Sequence, residues 1–191
     1  MIDLPRPTRA EANDVANSIL DGADTVMLSA ESASGSFPVE SVECMAKCIQ
    51  SVEHSASVVF NKYWEDSDGE TSKNNMLVKA ACQLSQAVGA KAIVGMTKSG
   101  YTGFSLAKNR PEADIIIFTN DKQLLRTINL VWGIQGVYYD EHNAIDDTFE
   151  DVENLLKAKG ILEKGDSYIT TASMPLHWED RTNMLKLNVV K

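Results

Sequence analysis

The chain has no excess of basic residues: 18 Lys and Arg stand against 27 Asp and Glu, a formal net charge of -9. Nothing in it dominates to neutralise phosphates, which argues against nucleic-acid binding. The same deficit argues against an anionic membrane surface. No apolar run approaches the ~18 residues of a membrane-spanning helix, and the start lacks the basic-then-apolar pattern of a secretory leader. Cysteines are few: Cys44, Cys48 and Cys82. No C-x-x-C occurs, and Cys44 and Cys48, spaced one helical turn apart, have no histidine partners, so zinc is not expected. Buried free thiols in a reducing compartment are the expectation. His54, His142 and His177 show no ligand spacing and are read as surface residues. No internal repeat and no low-complexity tract occurs. These absences leave an acidic cytoplasmic protein kept soluble by its charge. Its 191 residues allow one domain with an appendage or two small domains.

What is present is organised. Thr8-Arg9-Ala10-Glu11 has the form of a capping box and predicts a helix to Leu20, stopped at Gly22. Thr25–Leu28 is a short apolar run suited to a buried strand. Pro38 opens a second helix, with Val39, Val42, Met45, Ala46, Ile49, Val52 and Ala56 at helical steps, running to about Tyr63. A polar stretch follows, and residues 66–75 are read as a linker between residues 1–65 and 76–191.

Beyond it the pattern alternates. Helices are expected over Met76–Val88, Tyr101–Lys108, Asp121–Leu130 and Asp147–Lys159. Strands are expected over Lys91–Met96, Ile115–Thr119, Val137–Tyr139, Ser167–Thr171 and Met184–Val190. This predicts an α/β fold: a three-layer α/β/α domain around a five-stranded, mostly parallel mixed sheet. The last strand is expected antiparallel, because only a loop precedes it. The Met76–Val88 helix is apolar over more than one face. It is either a subunit contact or buried between the sheet and a neighbouring helix.

One turn stands out. Thr97-Lys98-Ser99-Gly100-Tyr101-Thr102 follows a strand and opens a helix. Hydroxyls, a lysine and a glycine there suit a phosphate cradle; an ordinary turn with a serine cap is the bland alternative. Trp64, Trp132 and Trp178 are read as packing residues, Trp178 alternatively as a shield over a ligand or a subunit contact.

Pro5–Glu11 (P-R-P-T-R-A-E), Asp21–Ser32 (D-G-A-D-T-V-M-L-S-A-E-S) and Gly35–Val42 (G-S-F-P-V-E-S-V) together resemble pyruvate kinases. The resemblance implies that residues 1–65 are the last helix-strand-helix of a (β/α)8 barrel and residues 76–191 the carboxy-terminal domain. In that family a phosphoryl group passes from phosphoenolpyruvate to ADP, with Mg2+ (or Mn2+) and K+ holding the negative groups. Thr8 matches a threonine of the substrate site. In this chain it is either a wall of that site or only a helix cap. Ser29 matches a serine placed in a proton-donating network; a strand-end serine bonded to backbone is the alternative. Ala30, Ser32 and Ser34 depart from the family's G-E-T-A-K-G and remove the lysine with which that loop would meet a nucleotide.

The same resemblance assigns Thr97, Lys98, Ser99, Gly100 and Thr102 to an effector site, since many members carry T-K-S-G-R-S there. Tyr101 replaces the usual basic residue. The second effector loop reads Ser173–Asn183, where Glu179 and Asp180 would repel an anion and Arg181 would offset or pair with them. A sugar-bisphosphate activator is therefore disfavoured; a monophosphate effector, or none, is expected. The catalytic lysine and the ligands of both metal ions lie in family segments outside this sequence. No cofactor is expected on these residues, and no turnover by this chain alone; residues 24–29, without their barrel neighbours, are expected to be disordered, refolded or paired with another chain. A homo-oligomer is expected. Two other readings are a free-standing phosphometabolite-binding module and a purely structural oligomerisation domain.

Overall fold

The computed structural model describes residues 1–55, 73–140, 145–174 and 182–191. The chain forms two compact units, Met1–Glu65 and Asp66–Lys191. The expected helical residues 56–63, the linker segment 66–72 and the loop residues 175–181 lie outside the described residues, as do His142, His177, Trp64 and Trp178.

In the first unit, α1 spans Arg9–Leu20, α2 Ala30–Ala33 and α3 Pro38–His54. The capping box forms. Thr8 Oγ1 accepts from the Glu11 amide at 3.2 Å, while the Thr8 amide donates to Glu11 Oε2 at 2.6 Å. The Met1 ammonium donates to Glu11 Oε1 at 2.6 Å. That ammonium and then the two Thr8 donors hold the Glu11 carboxyl at about 2, well below its usual range. Pro38 sits at the first helical position of α3, where its missing N–H costs nothing. Packing is sparse. Ile19 and Ser41 are buried, while Met27, Val39 and Val42 stay exposed.

The expected strand at Thr25–Leu28 does not form: Thr25–Ser29 carries no regular structure. A strand is completed by a neighbour's N–H and C=O groups, and no strand among the described residues of this unit provides them.

The second unit is the expected α/β fold. Its elements are α4 (Lys73–Val88), β1 (Ala92–Met96), α5 (Tyr101–Lys108), β2 (Asp114–Thr119), α6 (Lys122–Ile128), β3 (Ile134–Tyr138), α7 (Ile145–Ala158), β4 (Ser167–Ala172) and β5 (Met184–Val189). Helix α4 begins at Lys73, inside the segment read as linker, and β3 runs Ile134–Tyr138 where a strand was expected over Val137–Tyr139. The strand order is β3-β2-β1-β4-β5, with β5 alone antiparallel.

The near-continuous apolar runs of β1 and β2 reflect burial on both faces. On one face Ala92, Val94, Ile116, Phe118 and Tyr168 pack with Val152 and Leu156 of α7. On the other, α5 comes close over Gly95. A Cβ there would lie 2.7 Å from Ile117 Cδ1 and 3.5 Å from Thr102 Cγ2. Each fully buried Ile or Phe contributes roughly 1.5–3 kcal/mol.

Val78, Ala81 and Cys82 of α4 are buried, leaving Met76 and Val88 exposed. Cys44, Cys48 and Cys82 are free thiols. Cys44 and Cys48 are only half-buried, contrary to the expectation of full burial. Burial pushes the Cys82 thiol up to about 12, so it stays protonated and inert. No helix among the described residues is long and apolar enough to cross a membrane.

Candidate functional site

The order of the sheet marks one place. From β1 the chain steps outward to β2 and β3, then returns through α7 to place β4 on the other side of β1. The carboxyl ends of β1 and β4 therefore flank a topological switch point, where open α/β sheets bind ligands. The loops leaving those two ends are the Thr97–Gly100 turn and the segment that starts at Ser173.

The turn is built from its own side chains and tied to the core. The Thr97 amide donates to the Phe118 carbonyl at 3.1 Å, which fixes the turn to the end of β2. Thr97 Oγ1 accepts from the Gly100 amide at 3.0 Å. Ser99 Oγ lies 3.4 Å from the Tyr101 amide, a long contact. Both hydroxyls keep a proton to donate. Gly100 has φ +80° and is the N-cap of α5. It offers no side chain to cap the first-turn amides, which lack intrahelical partners. Lys98 and Ser99 are exposed. The turn brings two hydroxyls, a lysine and the start of α5 into one short segment, a combination suited to an oxyanion.

Thr102 is placed differently from the other four predicted effector residues. It is 3% exposed, and its Oγ1 lies 2.6 Å from Thr182 Oγ1. It ties α5 to the end of the β4–β5 connection. Tyr101, in the position of the usual basic residue, donates its hydroxyl to Asn75 Oδ1 at the start of α4.

Across the switch point, Met174 and Asn183 clasp the β4–β5 connection. The Met174 amide donates to Asn183 Oδ1, and Asn183 Nδ2 donates to the Met174 carbonyl, each at 2.7 Å. Beside this clasp the Ser173 Oγ is buried with no hydrogen-bond partner. Neither the Thr102–Thr182 pair nor this hydroxyl was legible in the sequence. Both depend on which strand lies beside β4, and no local pattern encodes that.

In the first unit, Thr8 and Ser29 are both exposed. Thr8 Oγ1 accepts from the Glu11 amide and donates to Glu11 Oε2 at 2.9 Å. Ser29 precedes α2 with no side-chain capping bond; its amide donates to Glu31 Oε2 at 3.0 Å. Each therefore bonds within its own turn. His54 is exposed, its Nδ1 2.7 Å from the Gln50 carbonyl. Among the described residues no group of three or more His, Cys, Asp or Glu could hold a metal ion.

The family model "Pyruvate kinase, alpha/beta domain" matches residues 75–188. The chain belongs to the pyruvate kinase family. The family's barrel-domain model matches residues 1–42. A pyruvate kinase of Clostridium acetobutylicum is 36% identical over 100% of this chain and 40% of its own length. A pyruvate kinase of Staphylococcus aureus is 37% identical over 97% of this chain and 32% of its own length. The crystal structure of a pyruvate kinase from Cryptosporidium parvum superposes with a TM-score of 0.87 at 27% identity, covering 100% of this chain and 38% of that one. The chain thus spans 40% or less of the length of these relatives. The barrel match covers the segment in which Thr25–Leu28 finds no strand partner. The α/β match covers the whole β1–α5 turn.

Proposed function

We propose that this chain serves pyruvate kinase, the transfer of phosphate from phosphoenolpyruvate to ADP, by contributing the last barrel elements and a phosphate-responsive α/β unit. The observation that carries the reading is the Thr97–Gly100 turn at the switch point, within the segment that matches the family's α/β domain. Lys98 supplies the positive charge, the Thr97 and Ser99 hydroxyls donate, and Gly100 sets the backbone at the head of α5. Thr102 holds the cradle together from beneath by its bond to Thr182. A phosphate monoester on a small metabolite is the ligand class, since Lys98 is the one cation in the turn itself.

The test is a thermal-shift titration with glucose 6-phosphate at constant ionic strength. A specific site stabilises by mass action and saturates. Lys98→Ala removes a charge-assisted bond and weakens binding roughly ten- to hundred-fold. An unchanged response in that variant, or no saturable shift in the unmodified protein, overturns the reading.

In the barrel elements, Thr8 is assigned to a wall of the substrate site and Ser29 to a proton-donating network. A substrate oxygen would compete with Glu11 for the Thr8 hydroxyl. Mg2+ and K+ belong to the complete reaction, and no residue of this chain is assigned to either. One strand segment and its helices cannot close an eight-stranded barrel, so residues 1–191 alone are expected to yield no pyruvate. A lactate dehydrogenase-coupled assay with phosphoenolpyruvate, ADP, Mg2+ and K+ should stay at the enzyme-free rate. Any rate proportional to protein concentration contradicts this.

A homo-oligomer in the cytoplasm completes the proposal. The exposure of Met76 on α4 and of Leu187 and Val189 on the edge strand β5 supports a subunit contact on the second unit. The three free thiols fit a reducing compartment.

A further inference from the structure

Helix α3 carries two of the three thiols one turn apart. Cys44 and Cys48 stand at i and i+4 within Pro38–His54, so their side chains leave the same face with Cβ atoms roughly 5–6 Å apart. Both are half-buried and free, and the two thiols are hydrogen-bonding neighbours. Met45, also half-buried, stands three residues before Cys48 and adds a third sulfur to that side of the helix. The charged neighbours Glu43 and Lys47 are exposed and pair with each other at 3.9 Å. Among the described residues no third His, Cys, Asp or Glu joins the two thiols. A disulfide needs Cβ atoms about 3.5–4.5 Å apart, which a regular helix does not offer at this spacing. An ion between the sulfurs tolerates a wider gap, since two metal–thiolate bonds of about 2.3 Å reach across up to about 4.6 Å.

We propose that Cys44 and Cys48 form a two-thiolate site on α3 for a soft monovalent cation, Cu(I). Thiolates select soft ions. Structural zinc and iron–sulfur centres call for four protein ligands, where α3 offers two thiols. Cu(I) is a closed-shell ion satisfied by two thiolates in near-linear coordination, and Met45 gives it a soft thioether neighbour rather than a competing hard ligand. Burial, then the neighbouring Cys44 thiol, raises the Cys48 pKa, so that thiol stays protonated until the metal arrives. On binding, both S–H protons pass to solvent and two S–Cu bonds form; copper stays Cu(I) and no electron moves. The site is separate from the β1–α5 turn and does not depend on the phosphate reading. Cys82, protonated and buried in the α/β unit, takes no part.

The test delivers Cu(I) anaerobically to residues 1–191 as its bicinchoninate complex and measures the copper drawn from the coloured chelator. One ion per chain is expected, with the far-UV circular dichroism unchanged because α3 stays helical. Cys44→Ser and Cys48→Ser are each expected to weaken retention more than about 100-fold, since loss of a ligand exceeds the roughly 10- to 100-fold cost of losing an outer-shell partner. Cys82→Ala should retain copper as the unmodified chain does. Should a serine variant misfold, the unmodified chain decides by itself: Cu(I) is expected to block iodoacetamide labelling of both Cys44 and Cys48, read by peptide mass spectrometry. Absence of uptake, uptake that survives both serine substitutions, or one ion shared by two chains each overturns the proposal. So does undiminished labelling of either thiol, or a loss of helical signal on loading.

Discussion

Phe118→Ala is expected to cost the α/β unit about 3–5 kcal/mol, because Phe118 is the largest fully buried side chain among the described residues. Phe118, on β2, is 1% exposed and packs in the core cluster with Val94 of β1 and Val152 and Leu156 of α7. Its ring meets Tyr139 edge-on, with centroids 6.0 Å apart. Truncation removes the transfer energy of the ring, leaves a cavity that paired strands cannot collapse into, and forfeits the aromatic contact. Urea denaturation followed by circular dichroism measures the loss. Val39→Ala is the comparison: Val39 is 65% exposed and should change stability by less than about 0.5 kcal/mol. A Phe118→Ala cost below about 1.5 kcal/mol would mean that the face between the sheet and α7 is not close-packed.

Gly100→Val is expected to remove the response to phosphate altogether while lowering stability by about 2–4 kcal/mol. Two effects add. The backbone at φ +80° is one that a β-branched residue resists. A Cβ would also lie 2.5 Å from Leu124 Cδ1 and 2.9 Å from Phe104 Cε2. Leu124 and Phe104 must repack or the turn must move, and the backbone's departure from φ +80° loosens the 3.0 Å bond from the Gly100 amide to Thr97 Oγ1. The measurement is the thermal shift with and without glucose 6-phosphate, with far-UV circular dichroism to confirm the folded sheet. A variant that folds and still responds at unmodified affinity would show that the turn geometry does not make the site.

The two substitutions are linked by one bond. The carbonyl of Phe118 accepts from the Thr97 amide at 3.1 Å, so the packed end of β2 is also the anchor of the turn. Stability of the sheet and shape of the candidate site are in this sense one property.

Local features were legible in the sequence. The Thr8–Glu11 box could be read because both partners lie within one turn, and it formed with both bonds. The β1 and β2 runs could be read because a strand buried on both faces has no polar alternation to confuse it. The antiparallel β5 followed from the short connection before it. Composition alone does not suffice where a neighbour decides. Thr25–Leu28 has strand composition, yet a strand exists only as part of a ladder. In β3 the polar Gln135 and Gly136 hid an edge strand that Ile134 already begins.

The candidate site divides along the same line. The run from Thr97 to Thr102 marked a turn between strand and helix, because glycine and hydroxyl residues there have local reasons to be present. The sequence by itself determined the family, the alternation of helices and strands, and that turn, since each is written in contiguous residues. Only the tertiary structure decided that β4 returns beside β1, that Thr102 is spent on Thr182, and that the Ser173 hydroxyl is buried without a partner beside the turn. The first two are contacts between residues about 80 positions apart in the chain, and all three are created by burial and strand pairing rather than by any local preference.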